Sequence, residues 1–230
     1  MRYQAALRPD SVASLILNQV CDGHHVLHPN GALRVCKSPP RHAVAAIMGE
    51  FMTGLVYAAV AYVRSPVGIF VEELRRDLHP AHTHADAHVT ILPPRALSGS
   101  ERLALDLLAD VCRATPPFEV TMGDVETFVP LTPTVFLRVA RGAYRMRELH
   151  DKLNRHALFF EEPWPYMPHL TIAKMDTAEE AGKVLEIARQ RWSAYTGPRT
   201  VRIESLNFVK GVGERWVDLA KTPLGGIAAK

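Results

Sequence analysis

The chain has 230 residues, of which 47% are hydrophobic and 22% charged, and its formal net charge is +3. This composition is typical of a folded soluble protein and excludes wholesale disorder and fibrous repeats. The first 52 residues hold five Lys or Arg and three Asp or Glu, which leaves 22 basic and 21 acidic residues in the remainder. That near-balance excludes the broad cationic face of a nonspecific duplex-binding protein.

The N-terminal residues differ from the rest of the chain because they lack a long periodic segment. They contain two breaks marked by Pro or Gly, HPNGALR and KSPPRH. We therefore predict an N-terminal appendage over residues 1–52, with a short helix near 11–20, or with disorder as the alternative. The predicted domain covers residues 53–222, and a short tail covers 223–230.

Cysteine usage and hydropathy indicate the cellular compartment. The three cysteines, Cys21, Cys36 and Cys112, are an odd number and do not resemble a disulfide framework. No apolar run approaches the roughly 20 residues that span a bilayer. We predict a cytoplasmic, monomeric protein with no membrane partner and no obligate protein partner.

Regular elements begin at Leu55 and follow the order strand, helix, strand, helix, strand. LVYAAVAYV is a short apolar run typical of a strand. In SPVGIFVEELRRDL, Ser65 is placed as the N-cap of a helix and Pro66 as its first residue. The strand HVTILPP, a helix over about 100–115 and the strand FEVTMGDVETF complete this half.

The second half repeats that order. TVFLRVA is predicted as a strand, AYRMRELHDKLNRHA as a helix, HLTIAK as a strand, and TAEEAGKVLEIARQRWSAY as a helix capped by Thr177. TVRIESLNFVK and ERWVDLA are predicted as two closing strands. Leu55 precedes His88 by 33 residues, and Thr134 precedes His169 by 35. Similar spacing and element order indicate an internal duplication.

Each half carries the same pattern of His, an apolar residue, Thr and another apolar residue. Side chains alternate across a strand, so each His shares a face with its Thr while the apolar residues occupy the other face. We refer to the four polar residues as the motif side chains: His88, Thr90, His169 and Thr171. If the duplicated strands are neighbours, two imidazoles and two hydroxyls surround one tetrahedral anion.

That set of side chains suits phosphoester chemistry without a metal. Histidine titrates near neutrality, so one ring can accept a proton from the attacking oxygen while the other donates one to the departing oxygen. The threonine hydroxyls can donate hydrogen bonds to the nonbridging oxygens, where charge accumulates. A single His-x-Thr is a weak signal and usually structural; two copies at matching positions favour the functional interpretation.

The paired motifs, their HVTILPP and PHLTIAK contexts and the duplicated layout resemble the 2H phosphoesterase superfamily, in particular the 2′-5′ RNA ligase and RNA 2′,3′-cyclic phosphodiesterase family. The resemblance implies an α+β, bilobal fold with two antiparallel sheets flanking a cleft and helices outside. It implies opening of 2′,3′-cyclic phosphates, or cleavage and joining of 2′-5′ linkages, in RNA or nucleotides, with no cofactor. It assigns His88 as proton donor, His169 as acceptor, and Thr90 and Thr171 to phosphate.

Other residues are candidates for holding the rest of the substrate. Alternation in TVFLRVA places Phe136 and Arg138 on the cleft face, where Arg138 could bind phosphate and Phe136 could stack on a base. Trp164 and Tyr166, in the aromatic loop before the second motif, could clamp a base. Alternation places Lys174 on the apolar face, so it is left out.

Weaker candidates and alternatives remain. Arg95 and Arg141 are further phosphate candidates, whereas His150 and His156 are predicted to be surface residues. One alternative function is an inactive module that binds RNA ends or cyclic nucleotides. Zinc sites are the other alternative, and their candidate ligands are His82, His84, Asp86 and His88, or Cys21, His24, His25, His28 and Cys36.

Overall fold

The structure, a computed structural model, describes residues 55–79, 86–162, 164–213 and 215–226. The predicted appendage lies outside the described residues, as do the cysteine and histidine ligands proposed within it and His82 and His84. Among the described residues, no helix is both long enough and apolar enough to cross a membrane.

Eight strands in the described part of the chain form one antiparallel sheet with the order β6-β3-β4-β5-β2-β1-β7-β8. The strands are β1 Val56–Tyr62, β2 His88–Arg95, β3 Phe118–Thr127, β4 Thr134–Arg141, β5 His169–Lys174, β6 Thr200–Ile203, β7 Ser205–Val212 and β8 Arg215–Pro223. Each half of the sheet contains strands from both halves of the duplication, because β6, β3, β4 and β5 form one half of the sheet and β2, β1, β7 and β8 form the other. The two halves of the sheet meet where β2 pairs with β5.

Four α-helices connect the strands, and their first turns agree with the sequence signals. The helices are α1 Pro66–Leu78, α2 Glu101–Arg113, α3 Ala143–Leu153 and α4 Ala178–Ser193, and a short 3₁₀ helix covers His156–Leu158. Helix α1 begins with Pro at its first position, as predicted. The Thr177 hydroxyl caps α4, and the side chain of Glu180 returns to the Thr177 amide as a capping box.

One apolar core joins the helices to one face of the sheet. Its strand residues alternate along β2, β4 and β5, and every α-helix contributes to it. Helix α1 packs on β5 and α3 on β2, so each helix also contacts a strand of the other half. Burial of this surface is the main stabilising contribution to the fold.

The α+β class is confirmed, but the two predicted sheets are one continuous sheet. The prediction of two separate sheets is wrong in that respect, because the facing residues Val89 and Leu170 pair the central strands. The predicted closing strand TVRIESLNFVK is also divided. It breaks at Glu204 into β6 and β7, which lie in different halves of the sheet.

The residues at the end of β8 pack against the core. Strand β8 continues to Pro223, and Leu224 is buried in the core. The Leu224 amide donates to the Glu204 carbonyl at 2.7 Å, which ties the end of the domain to the connection between β6 and β7.

Candidate active site

The pairing of the two central strands brings the four motif side chains together. Val89 of β2 lies opposite Leu170 of β5, and both side chains are fully buried in the core. In an antiparallel pair this register sets each motif histidine opposite the threonine of the other motif. Facing side chains have Cβ atoms about 4.5–5.5 Å apart. The motif side chains therefore form one cluster on the face of the sheet opposite the core.

Each motif histidine is held by the same local hydrogen bond. The Nδ1 atom of His88 lies 2.7 Å from the Asp86 carbonyl, and that of His169 lies 2.9 Å from the Met167 carbonyl. A carbonyl only accepts, so Nδ1 must be the protonated nitrogen in both neutral rings. Nε2 is then the nitrogen that carries the free lone pair in each neutral ring. The two motif histidines therefore share the same tautomer as well as the same position in the motif.

His169 occupies the more apolar of the two environments. Its side chain is buried, and its ring contacts Phe128 and Phe136 edge to face, with ring centroids 5.2 Å apart in both cases. Burial lowers the pKa of His169 to about 4, because the apolar surroundings disfavour the charged ring. The free protein therefore holds a neutral His169 at pH 7.

Phe136 supports His169 and has no exposed face for a nucleobase. It lies on the predicted side of β4, but it is only 1% exposed and stacks on Phe128 with centroids 3.9 Å apart. The prediction that Phe136 stacks on a base is wrong, because the neighbouring phenylalanine and histidine cover the ring. Alternation correctly predicted the face of β4 on which Phe136 lies. It could not predict which residues cover that face.

His88 is partly buried and lies beside basic groups. Its ring meets Tyr62 edge to face at a centroid distance of 6.3 Å. Burial, followed by the positive charge of Arg75, lowers the pKa of His88 to about 4. Charge on His169 lowers it further, so the two rings interact electrostatically. Both histidines are neutral in the free protein at pH 7.

Lys174 lies on the cleft face, contrary to the expectation from alternation. Phe136 pairs with Thr171 but Val135 pairs with Ala173, so β5 contains one extra residue, a β-bulge. Ile172 and Ala173 consequently both enter the core, and the next side chain, Lys174, returns to the side of the motif histidines. Its charge lowers the pKa of both His88 and His169. The sequence contained a signal for this bulge, because two consecutive apolar residues, Ile172 and Ala173, precede the lysine.

A buried arginine that the sequence reasoning missed also supports the site. Arg75 of α1 is 7% exposed and donates from Nε and Nη2 to the Thr171 carbonyl, at 3.1 and 2.6 Å. It thereby satisfies a backbone group at the bulge and adds positive charge behind the site. The signal was its position on the buried stripe of the helix, since Val67, Val71 and Arg75 recur every four residues.

Tyr166 stabilises β2 and is not available to clamp a base. Its hydroxyl donates to the Thr90 carbonyl at 2.7 Å, and its ring stacks on His150 at 4.4 Å. The side chain is 9% exposed. The predicted base-binding role of Tyr166 is therefore wrong, because its ring and hydroxyl are both engaged inside the protein.

The expectations for His150 and Arg95 are also wrong. Both are buried, and both bind the carboxylate of Glu162: His150 through Nε2 at 2.9 Å, and Arg95 through a short ion pair. Arg95 also donates to Asn154 at 2.7 Å. A buried guanidinium with these partners holds the loop before β5 and does not face a phosphate.

The remaining candidates lie at the margins of the site. Arg138 lies opposite His169 on the cleft face and pairs with Glu126 at 3.3 Å, with 54% of its side chain exposed. Trp164 is partly buried, and its Nε1 has no hydrogen-bond partner among the described residues. Arg141 is exposed at the end of β4. Arg138 remains a candidate for binding phosphate.

Replacing Tyr166 with Phe should lower the free energy of unfolding by about 1 kcal/mol, because it removes one buried hydrogen bond and leaves the ring stack. Urea denaturation with an unchanged slope would measure the loss. Tyr144→Phe is a matched control, since Tyr144 is 68% exposed. Equal stability of the Tyr166→Phe and wild-type proteins would contradict the assigned contact.

The family model described as the 2′-5′ RNA ligase superfamily matches residues 63–215, which include all four motif side chains and the central strand pair. The chain belongs to the 2′-5′ RNA ligase superfamily. The 2H phosphoesterase resemblance of the paired motifs is confirmed.

Two bacterial relatives of this superfamily member illustrate its sequence similarity. A candidate phosphoesterase of Oceanobacillus iheyensis is 27% identical over 114 residues, covering 49% of this chain and 66% of the relative. One from Halalkalibacterium halodurans is 24% identical over 119 residues, covering 51% of this chain and 69% of the relative. The chain therefore spans about two thirds of the length of these curated relatives.

Solved structures support the superfamily fold. E. coli LigT, crystallised with NADP+, has a TM-score of 0.53 and 17% identity, covering 75% of this chain and 99% of LigT. TT0787 of Thermus thermophilus has a TM-score of 0.51 and 17% identity, covering 74% of this chain and 98% of TT0787. At this identity the similarity concerns the fold alone.

Proposed function

We propose that this superfamily member is a metal-independent phosphodiesterase that opens 2′,3′-cyclic phosphates, or cleaves or joins 2′-5′ linkages, in RNA or nucleotides. The observation that carries the proposal is the pair of neutral histidines, both held through Nδ1 and both beside a threonine of the other motif. This arrangement offers a proton acceptor and a proton donor to the same phosphorus centre. The family match supports the same reaction class.

The hydrolytic step divides two proton transfers between the histidines. Nε2 of neutral His169 accepts a proton from water while the water oxygen forms a bond to phosphorus. The bond from phosphorus to the 3′ oxygen breaks, and His88 in its charged form donates a proton to that oxygen. The products are a 2′-phosphate and a 3′ hydroxyl. Thr90, Thr171 and Arg138 bind the nonbridging oxygens as negative charge accumulates on them.

Binding of the substrate must raise the pKa of one histidine so that its ring becomes charged. In the free protein both histidine pKa values are lowered to about 4, so neither ring is charged at neutral pH. A bound phosphate anion favours the charged form of a neighbouring imidazole and raises its pKa. Lys174 opposes a charge on His169 and helps to keep that ring neutral, as an acceptor must be. Arg75 opposes a charge on His88, so the bound phosphate must outweigh it.

The pH dependence of kcat/KM should reflect the histidine pKa values of the free protein. A donor with a pKa near 4 is protonated in a fraction that falls about tenfold for each pH unit above that value. We expect kcat/KM to increase as the pH is lowered from 8 to 5, because the maximum of the bell-shaped profile lies below pH 5 when both pKa values are about 4. Initial rates on a cyclic nucleotide across this range measure it, and a flat profile would contradict the proposed acid-base pair.

An RNA ending in a 2′,3′-cyclic phosphate tests the reaction directly. Incubation with the protein, with and without EDTA, should yield a terminal 2′-phosphate at equal rates, and chromatography separates it from the 3′ isomer. Loss of activity in EDTA would instead support the zinc alternative. Binding without turnover in either condition would support the alternative of a binding module.

A further inference from the structure

A cavity of about 580 Å³ is lined by residues of β1, β6, β7 and β8, and one of them, Tyr62, contacts His88 of the motif cluster. Strand β6 belongs to one half of the sheet and β7 to the other, yet only Glu204 separates them. The sheet must curl at this point for so short a connection to close. The cavity is within the volume range of small-molecule sites.

One wall of the cavity is connected to the motif cluster through Tyr62. The ring of Tyr62 contacts His88, and its hydroxyl donates to Asp218 at 2.8 Å. The side-chain amide of Asn207, which is buried, donates to the other carboxylate oxygen of Asp218 at 3.2 Å. Two donors leave the carboxylate with further acceptor capacity for hydroxyl or amino groups of a ligand.

Basic groups line the same cavity. Arg64, Arg202 and Lys221 contribute to its lining, together with the acidic Glu204 and Asp218. Arg202 pairs with Glu204 at 3.0 Å, and more than half of each of these side chains is exposed to solvent. Such an exposed pair contributes little to stability, so the guanidinium can exchange its carboxylate for a phosphate at small cost.

The N-terminus of α1 adjoins this basic wall. Ser65 lines the cavity at the N-cap, and its hydroxyl is buried without a hydrogen-bond partner among the described residues. The first turn of α1 contains no acidic residue. A ligand oxygen would satisfy the hydroxyl, and the helix dipole favours a negative charge at this position.

We propose that this cavity binds the nucleotide that flanks the reacting phosphate, so that the preferred substrate is an RNA end and not a mononucleotide. The basic wall of Arg202 and Lys221 binds the internucleotide phosphate, and Asp218 accepts hydrogen bonds from the flanking sugar or base. This inference rests on the proposed function, because it takes the motif cluster as the site of the reacting phosphate. Tyr62 separates the two subsites.

Binding of reaction products tests the subsite without requiring turnover. The probes are adenosine 2′-monophosphate and the dinucleotide ApA with a terminal 2′-phosphate, titrated calorimetrically at several salt concentrations. We expect the dinucleotide to bind about tenfold more tightly, as one charge-assisted contact allows. We also expect its logarithmic salt dependence to be steeper by about 0.7, the value for one more phosphate contact with a single strand.

The variant Arg202→Ala/Lys221→Ala should lose most of this preference and the additional salt dependence. Arg113→Ala/Lys183→Ala removes two exposed basic residues from helices α2 and α4 and should retain both. Equal binding of the two probes by the wild-type protein, or equal losses in the two variants, would overturn the subsite.

The subsite and the proposed function can fail separately. Turnover of a cyclic phosphate without a dinucleotide preference would refute the subsite alone. A dinucleotide preference without turnover would support the subsite and refute the proposed hydrolysis. Failure of both probes to bind, together with absence of turnover, would refute both.

Discussion

Alanine at position 88 or at position 169 should lower kcat on a 2′,3′-cyclic phosphate by about 10²–10⁴-fold, the usual contribution of a general acid or base. Neither Lys174 nor Arg75 can replace His169, because ammonium and guanidinium groups only donate hydrogen bonds and cannot accept the proton from water. The two losses should not be additive, since proton donor and acceptor act in the same step. Initial rates of the two single variants and the double variant measure this effect.

A histidine outside the cluster provides the control for these variants. His156 is exposed in the 3₁₀ helix and has a positive φ of 50°, so Asn is the suitable replacement because it tolerates that conformation. His156→Asn should keep the wild-type rate. Near-normal turnover in His88→Ala or His169→Ala, with an unchanged circular dichroism spectrum, would remove that residue from the chemistry.

Replacing Thr90 or Thr171 with Val should lower kcat by about 10²-fold, the loss seen when one preorganised donor to a developing oxyanion is removed. Valine keeps the shape and suits a strand, so the strand pairing should persist and the change should isolate the hydroxyl. The effect should appear mainly in kcat, because charge on the nonbridging oxygens is greatest in the transition state. Steady-state kinetics separate kcat from KM.

Serine at the same positions tests whether the hydroxyl or the methyl group matters. Thr90→Ser and Thr171→Ser should recover most of the rate, since Ser retains the donor. Thr196→Val, at an exposed residue between α4 and β6, is the matched control and should have no effect. Full activity in both valine variants would show that the hydroxyls do not bind the reacting phosphate.

The sequence predicted the features that depend on local periodicity. Alternation placed the motif side chains on one face, and the repeated element order indicated that their strands are neighbours. The capping signals at Ser65 and Thr177 correctly located the starts of α1 and α4. The break at Glu204 was also readable, because the residues of the main core shift from Val201 and Ile203 to Leu206 and Phe208 beyond it.

Features that depend on distant partners were not predicted. Strict alternation failed for Lys174 because a bulge inserts one residue before it. Tyr166 and Arg95 were interpreted as substrate contacts because their loop positions are near the motifs. Their actual partners, the Thr90 carbonyl and the Glu162 carboxylate, lie 76 and 67 residues away in sequence. Such pairs follow from the tertiary packing, which no short motif specifies.

Nitrogen NMR of histidine-labelled protein tests most directly whether two imidazoles act on one phosphate. In the free protein at pH 7, His88 and His169 should both appear as neutral rings protonated at Nδ1. Addition of adenosine 2′-monophosphate at pH 6 should shift the Nε2 resonances of both rings and protonate one of them. A response from only one ring would contradict a phosphate shared by both histidines. Rings protonated at Nε2 in the free protein would contradict the assigned tautomer.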